Sequence, residues 1–159
     1  MASIDKKVLA VFGVVILAGL WFLMTSGVAT TSLCFNSLKG FEGAKCIDVE
    51  IVDNVESRRI GLSGRDSLGQ DEGMFFVFDK EGEHAFWMGG MSFPLDIIWI
   101  NKNKRVAYIA KNVPPCQESS CPLYKPGVNS LYVLEVNARF TGKYNITNDT
   151  QVFLGSYSI

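Results

Sequence analysis

Leu95-Asp96-Ile97-Ile98-Trp99-Ile100-Asn101-Lys102-Asn103-Lys104-Arg105-Val106-Ala107-Tyr108-Ile109-Ala110 reads as two strands joined by a turn. Residues 95–100 are apolar apart from one aspartate and rich in β-branched side chains. Residues 105–110 resume that character after a polar tetrapeptide that suits a hairpin. Working outward, Gly73–Phe78, His84–Met88, Leu131–Val136 and Val152–Leu154 carry further strand signals. From Cys46 the chain alternates, with Ile47, Val49 and Ile51 on one side and Asp48 and Glu50 on the other, as a half-buried strand requires.

Asp53 with Glu56 three residues later forms the pattern of a capping box for a short helix that Gly61 stops. Gly61, Gly64 and Gly69 then mark a shaped loop over 61–72. Asn137 is read as the cap of a second short helix over 138–143. No internal period or heptad is visible. The expected fold class is α+β: a compact, strongly curved mixed or antiparallel β-sheet with one or two short helices, preceded by a transmembrane helix.

That last element is expected from Val8 to Met24, seventeen apolar or glycine residues behind Lys6 and Lys7. As a helix the run would rise about 26 Å, and the uncharged tail to Ala29 extends it towards the roughly 30 Å of a bilayer core. A cleaved signal peptide competes with this reading, but the run exceeds the 7–15 residues usual for its apolar region. The two lysines place the N-terminus on the cytoplasmic side. The division is 1–29 as anchor or signal segment, 30–45 as stalk and lead-in, and 46–159 as one globular domain. The expected location is a cell membrane, single-pass, with the domain extracytoplasmic.

Of the fifteen Lys and Arg and sixteen Asp and Glu, only Asp5, Lys6 and Lys7 precede residue 30. The rest are interspersed, so no basic stripe offers a footprint for nucleic acid. The four cysteines suit an oxidising compartment. Near neighbours would pair as Cys34–Cys46 and Cys116–Cys121. A four-thiolate zinc site competes poorly, because Cys34 and Cys46 lie too far apart for a knuckle. Pro114-Pro115 and Pro122 stiffen the flanks of Cys116 and Cys121, and the interval is wider than a redox Cys-x2-Cys, so that bridge is expected to be structural.

From Ile47 onward the chain resembles the domain-of-unknown-function family 192, also described as the uncharacterised conserved ACR family. The resemblance rests on Arg59-Ile60-Gly61-Leu62-Ser63-Gly64-Arg65, Asp71-Glu72-Gly73-Met74-Phe75-Phe76-Val77-Phe78, Phe86-Trp87-Met88, Pro94-Leu95-Asp96-Ile97-Ile98-Trp99-Ile100 and Tyr132-Val133-Leu134-Glu135-Val136. It implies a compact β-rich α+β domain and no settled activity. The chain departs from the family pattern at Gly89-Gly90-Met91, where Lys-Asn-Thr is usual, and at Ser63, where methionine is usual.

Arg65 and Asp96 are the first candidate site residues, because each sits in a specific motif and forms charge-assisted hydrogen bonds. Asp96, inside an apolar run, is read foremost as one member of a buried pair or as an acceptor of backbone N–H bonds at a tight turn, then as a ligand contact, then as an acid or base. Asp71 and Glu72 are read as a solvated turn before Gly73, with paired-carboxylate catalysis as the rival. Trp87 and Phe93, with Phe86 and Trp99, are core aromatics or the wall of a shallow ligand cleft. His84 is the only histidine, which removes triads and two-histidine zinc motifs. His84, Met88 and Met91 are weak candidates for Cu(I). Asn145 and Asn148 each begin an N-glycosylation pattern.

No cofactor is expected. The functional expectation is a membrane-tethered extracytoplasmic binding or assembly domain. Its partners would be the membrane through residues 8–29 and an envelope polymer, peptide or small-molecule ligand. The alternative is a hydrolase-like cell-envelope enzyme using Arg65, Asp96, Asp71 and Glu72 on a glycan, peptide or ester.

Overall fold

The computed structural model describes residues 29–36 and 44–155. Its elements are β1 (Thr30–Asn36), β2 (Lys45–Val52), α1 (Val55–Ile60), β3 (Glu72–Gly82), β4 (Leu95–Ile100), β5 (Val106–Val113), β6 (Ser130–Asn137), α2 (Phe140–Lys143) and β7 (Gln151–Leu154). The strands form one mixed sheet in the order β5-β4-β6-β3-β2-β1-β7, with β2 and β3 parallel and the other neighbours antiparallel. The edges approach each other: Arg105 bridges Gln151, and Val106 N–H donates to the Thr150 carbonyl at 3.0 Å. The sheet is therefore curled around an interior.

Curling gives the sheet two apolar faces. The inner face carries Leu33, Val49, Phe75, Ile98, Leu134 and Val152 from six strands, and Phe140 of α2 closes one end. The outer face carries Met74, Phe76, Ile97, Trp99 and Val133, covered by loops that bring in Leu62, Met88 and Met91. Each large side chain so buried contributes about 1.5–3 kcal/mol. β6 lies between β4 and β3 and is covered on both faces, which explains why Leu131–Val136 has no polar alternation.

The transmembrane helix of the expected fold class is corrected here. Among the described residues no helix is long and apolar enough to cross a membrane. The two helices have six and four residues, about 9 and 6 Å of rise against the roughly 30 Å a span requires. Residues 1–28, on which that expectation rested, lie outside the described residues. The fold is a curled mixed sheet with two short helices and no preceding transmembrane helix among the described residues. The described residues supply none of the membrane tether, the signal anchor, the membrane partner or the single-pass location expected with that helix.

Four local differences have physical causes. Thr30–Asn36, expected as part of a stalk, is a strand, because its inward residues Leu33 and Phe35 are buried between β2 and β7. Residues 37–43 of that stalk lie outside the described residues. The α1 cap is Asn54, one residue later than expected: Asn54 Oδ1 accepts from Ser57 N–H at 2.9 Å, while Glu56 pairs with Arg59. His84–Met88 forms only an isolated bridge, Phe86 to Tyr124, because Gly90 turns the chain at φ +72° and ties it to Gly64. Asn137 stays in β6 and donates to the Leu68 and Gly69 carbonyls instead of capping α2.

Candidate functional site

Asp96 points to the inner face at the end closed by α2, and it is fully buried. Its Oδ1 accepts the N–H groups of Asn112 at 2.9 Å and Arg139 at 3.1 Å. Its Oδ2 accepts the Thr141 N–H at 2.9 Å and the Thr141 hydroxyl at 2.6 Å. A buried carboxylate with four donors is satisfied, and it supplies the N-terminal cap that Arg139 does not provide for α2. Asn112 and Arg139 both have left-handed backbones, at φ +52° and +71°. Such non-glycine conformations persist where surrounding structure enforces them. Here one carboxylate enforces both.

The two strained residues line the same cleft. It measures about 570 Å³ and is bordered by Phe93, Pro94, Asn112, Asn137, Ala138 and Arg139. A second cleft of about 320 Å³ shares the ridge 137–139 and adds Gln70, Phe140, Lys143 and Tyr144. Arg139 borders both, and its guanidinium has no carboxylate partner among the described residues. Lys45 and Lys143 flank the Tyr144 ring at 4.7 and 5.0 Å. A hydrogen bond with the Lys143 ammonium, with a smaller contribution from Lys45, holds the Tyr144 phenol below its ordinary range. Lys45 is paired with Asp71 at 2.5 Å, so Arg139 and Lys143 are left as the unneutralised charges of the cleft pair.

Arg65 lies elsewhere. Its two terminal nitrogens grip both oxygens of Glu50 at 2.5 and 2.7 Å. That bidentate bond holds the Glu50 carboxyl below its usual range and raises the guanidinium. The pair forms one wall of a third cleft, about 400 Å³, with Asn54, Ser57, Ile60 and Met74. Glu72 accepts from Gly69 N–H at 3.0 Å. Glu72 lies near enough to act on the Arg65 charge, but Asp96 is enclosed by its own donors and Asp71 is held by Lys45, so the four do not meet in one site as the envelope-enzyme alternative required.

Phe93 borders the large cleft, whereas Trp87 is 55% exposed and lines none of the three. Met88 and Met91 are buried in the outer-face core, while His84 stacks on Phe78 at 3.5 Å between ring centroids. No group of three or more His, Cys, Asp or Glu among the described residues is placed to hold a metal ion. The cysteines pair as Cys34–Cys46, between opposed positions of β1 and β2, and as Cys116–Cys121. Asn112, Arg139, Lys143 and Tyr144 carry no motif that singles them out. Glu135 does leave a trace, as the one charge inside the apolar run 131–136.

Residues 38–154 match the model of the family described as "Uncharacterized ACR". No curated protein matches the chain. Among solved structures, the chain is similar to a Sinorhizobium meliloti 1021 protein provisionally described as a transcription regulator. That pair shares 23% identity and a TM-score of 0.74, over 80% of this chain and 95% of the other. It is also similar to a protein of unknown function from Novosphingobium aromaticivorans DSM 12444. The identity there is 28% and the TM-score 0.72, over 82% of this chain and 89% of the other.

Proposed function

We propose, for a chain that belongs to the uncharacterised ACR family, domain-of-unknown-function family 192, that this member is a binding domain for a small anionic ligand. The ligand carries a carboxylate or phosphate and lies across the ridge 137–139, between the two adjoining clefts. The observation that supports this is Arg139: an exposed, unpaired guanidinium bordering both clefts on a strained backbone that the buried Asp96 holds in place. A guanidinium presents a planar fork of donors matched to carboxylate and phosphate oxygens. Lys143 adds a second positive charge, Tyr144 a polar ring, and Phe93 with Pro94 an apolar wall. Because the anchor is already made, the arginine backbone need not reorganise to bind, which lowers the cost of association.

Calorimetric titration of the full chain with inorganic phosphate and with citrate, at low salt, tests the proposal. Saturable uptake of at least one anion is expected, weakened about tenfold or more in Arg139→Gly, the loss of one charge-assisted contact. Glycine suits φ +71°, so that variant keeps the backbone. Equal affinity of the variant and the parent chain, or no saturable uptake of either anion, would overturn the reading.

A further inference from the structure

Glu135 is unlike the other carboxylates of the sheet. It stands on β6 directly between Met74 of β3 and Ile97 of β4, on the outer face. It is only 5% exposed and has no hydrogen-bond or ion-pair partner among the described residues. Its oxygens are not completely sealed, since no fully enclosed side-chain oxygen is without a partner. In cross-strand register the row runs Glu50, Met74, Glu135, Ile97.

The loop over residues 61–71 runs from β2 to β6 alongside that row. One end is held at β2 by the Arg65–Glu50 pair. Further along, Asn137, two residues beyond Glu135 on the same face, donates to the Leu68 and Gly69 carbonyls at 3.0 and 2.9 Å. Glu72 accepts from Gly69 N–H. Leu62, ahead of the first latch, and Leu68, at the second, press onto the same apolar cluster as Met74 and Ile97. The loop is a strap fastened by polar contacts onto the apolar side chains that flank an unpaired carboxyl.

The geometry points to a pH-responsive strap: residues 61–71 open over the outer face as Glu135 ionises beside them. Burial among apolar side chains pushes the Glu135 carboxyl up to about 8. The surrounding elements supply no cation to offset this. On the same face β3 offers Glu72, Met74 and Phe76, and β4 offers Leu95, Ile97 and Trp99. β6 offers Val133 and Asn137, and the 84–93 loop offers Met88 and Met91. Of the strap's own charges, Arg65 is consumed by Glu50, Asp71 is held by Lys45, and Asp66 is a further carboxylate that offers Glu135 no cation. With the strap closed the carboxyl is neutral; with it open, water reaches the group and it ionises at its ordinary acidic value. The opening equilibrium therefore rises about tenfold per pH unit between the two values and levels off above the higher one.

Hydrogen exchange of the full chain between pH 5.5 and 9 reads this directly at the hydrogen-bonded strap amides of Gly64, Arg65 and Gly69. After correction for intrinsic exchange, their opening constants should rise about tenfold per pH unit from 5.5 to 7.5 and flatten above 8. In Glu135→Gln they should be flat throughout. Asn137→Ala should raise opening at every pH while keeping the slope. A slope that persists in Glu135→Gln, or no slope in the parent chain, overturns the proposal. Should Glu135→Gln fail to fold, the carboxyl carbon of Glu135 in the parent chain decides by NMR. A midpoint near neutrality or above supports the strap; one in the ordinary acidic range overturns it.

Discussion

The Asp96 carboxylate accepts the Arg139 N–H at 3.1 Å, and the same Oδ1 accepts the Asn112 N–H at 2.9 Å. One buried side chain thereby holds two left-handed residues from different strands' ends at the border of one cleft. The carboxylate shapes the cleft from beneath and does not itself line it.

Replacing Asp96 by alanine leaves three backbone N–H groups without their acceptor, one buried and two half-buried, and the buried Thr141 hydroxyl with them. Each such loss costs about 1–3 kcal/mol, so Asp96→Ala should lower unfolding stability by about 3 kcal/mol or more. Urea denaturation measures it. A loss below about 1 kcal/mol would show that the anchor is dispensable.

Arg139→Gly should separate stability from binding. Glycine adopts φ +71° without the steric cost that arginine bears, so stability should hold or rise by up to about 1 kcal/mol. Anion affinity should fall nonetheless. A variant that is both destabilised and fully competent to bind would contradict the assignment on both counts.

Glu135 gives a stability profile with a definite sign. Its folded value, about 8, lies above the ordinary carboxyl value, so the folded state binds the extra proton through the intervening window. Its contribution to stability is present at acid pH and is lost as pH rises towards 8, by roughly 1.4 kcal/mol per unit at most. Chemical denaturation at pH 5.5 and 7.5 should show this fall in the parent chain and lose it in Glu135→Gln.

The Glu50–Arg65 pair predicts the opposite direction at lower pH. Arg65 holds the Glu50 carboxyl below its ordinary value, so this stabilisation is present above the unfolded value and is lost as pH falls through the folded one. Both side chains are about one-third exposed, which limits the pair to about 1 kcal/mol. In thermal melts the difference between Arg65→Ala and the parent should be present at pH 7 and shrink as the pH is lowered.

Much of the sheet is legible in the chain because its residues obey local rules. The hairpin of β4 and β5 follows from two apolar runs around Asn101–Lys104, and Asn101 Oδ1 indeed accepts from Asn103 and Arg105 to shape that turn. β1 is not legible, since Leu33 and Phe35 gain their meaning only from β2 and β7 on either side. Asp96 is conspicuous as a lone charge in an apolar run, and its role as a backbone acceptor follows from that burial. Arg139 and Asn112 leave no local sign. Their strain comes from a carboxylate 43 and 16 residues away in sequence. Glu135 shows in the chain as a lone charge in an apolar run, but its partnerless state belongs to the assembled outer face, which no single strand reveals.

The most direct test of the anion cleft is an amide NMR titration of the full chain with inorganic phosphate and citrate. Saturable shifts are expected at Asn112, at Asn137–Arg139 and at Lys143–Tyr144, lost in Arg139→Gly. Saturable shifts confined to Glu50, Asn54 and Arg65, or none at the ridge 137–139, would contradict it.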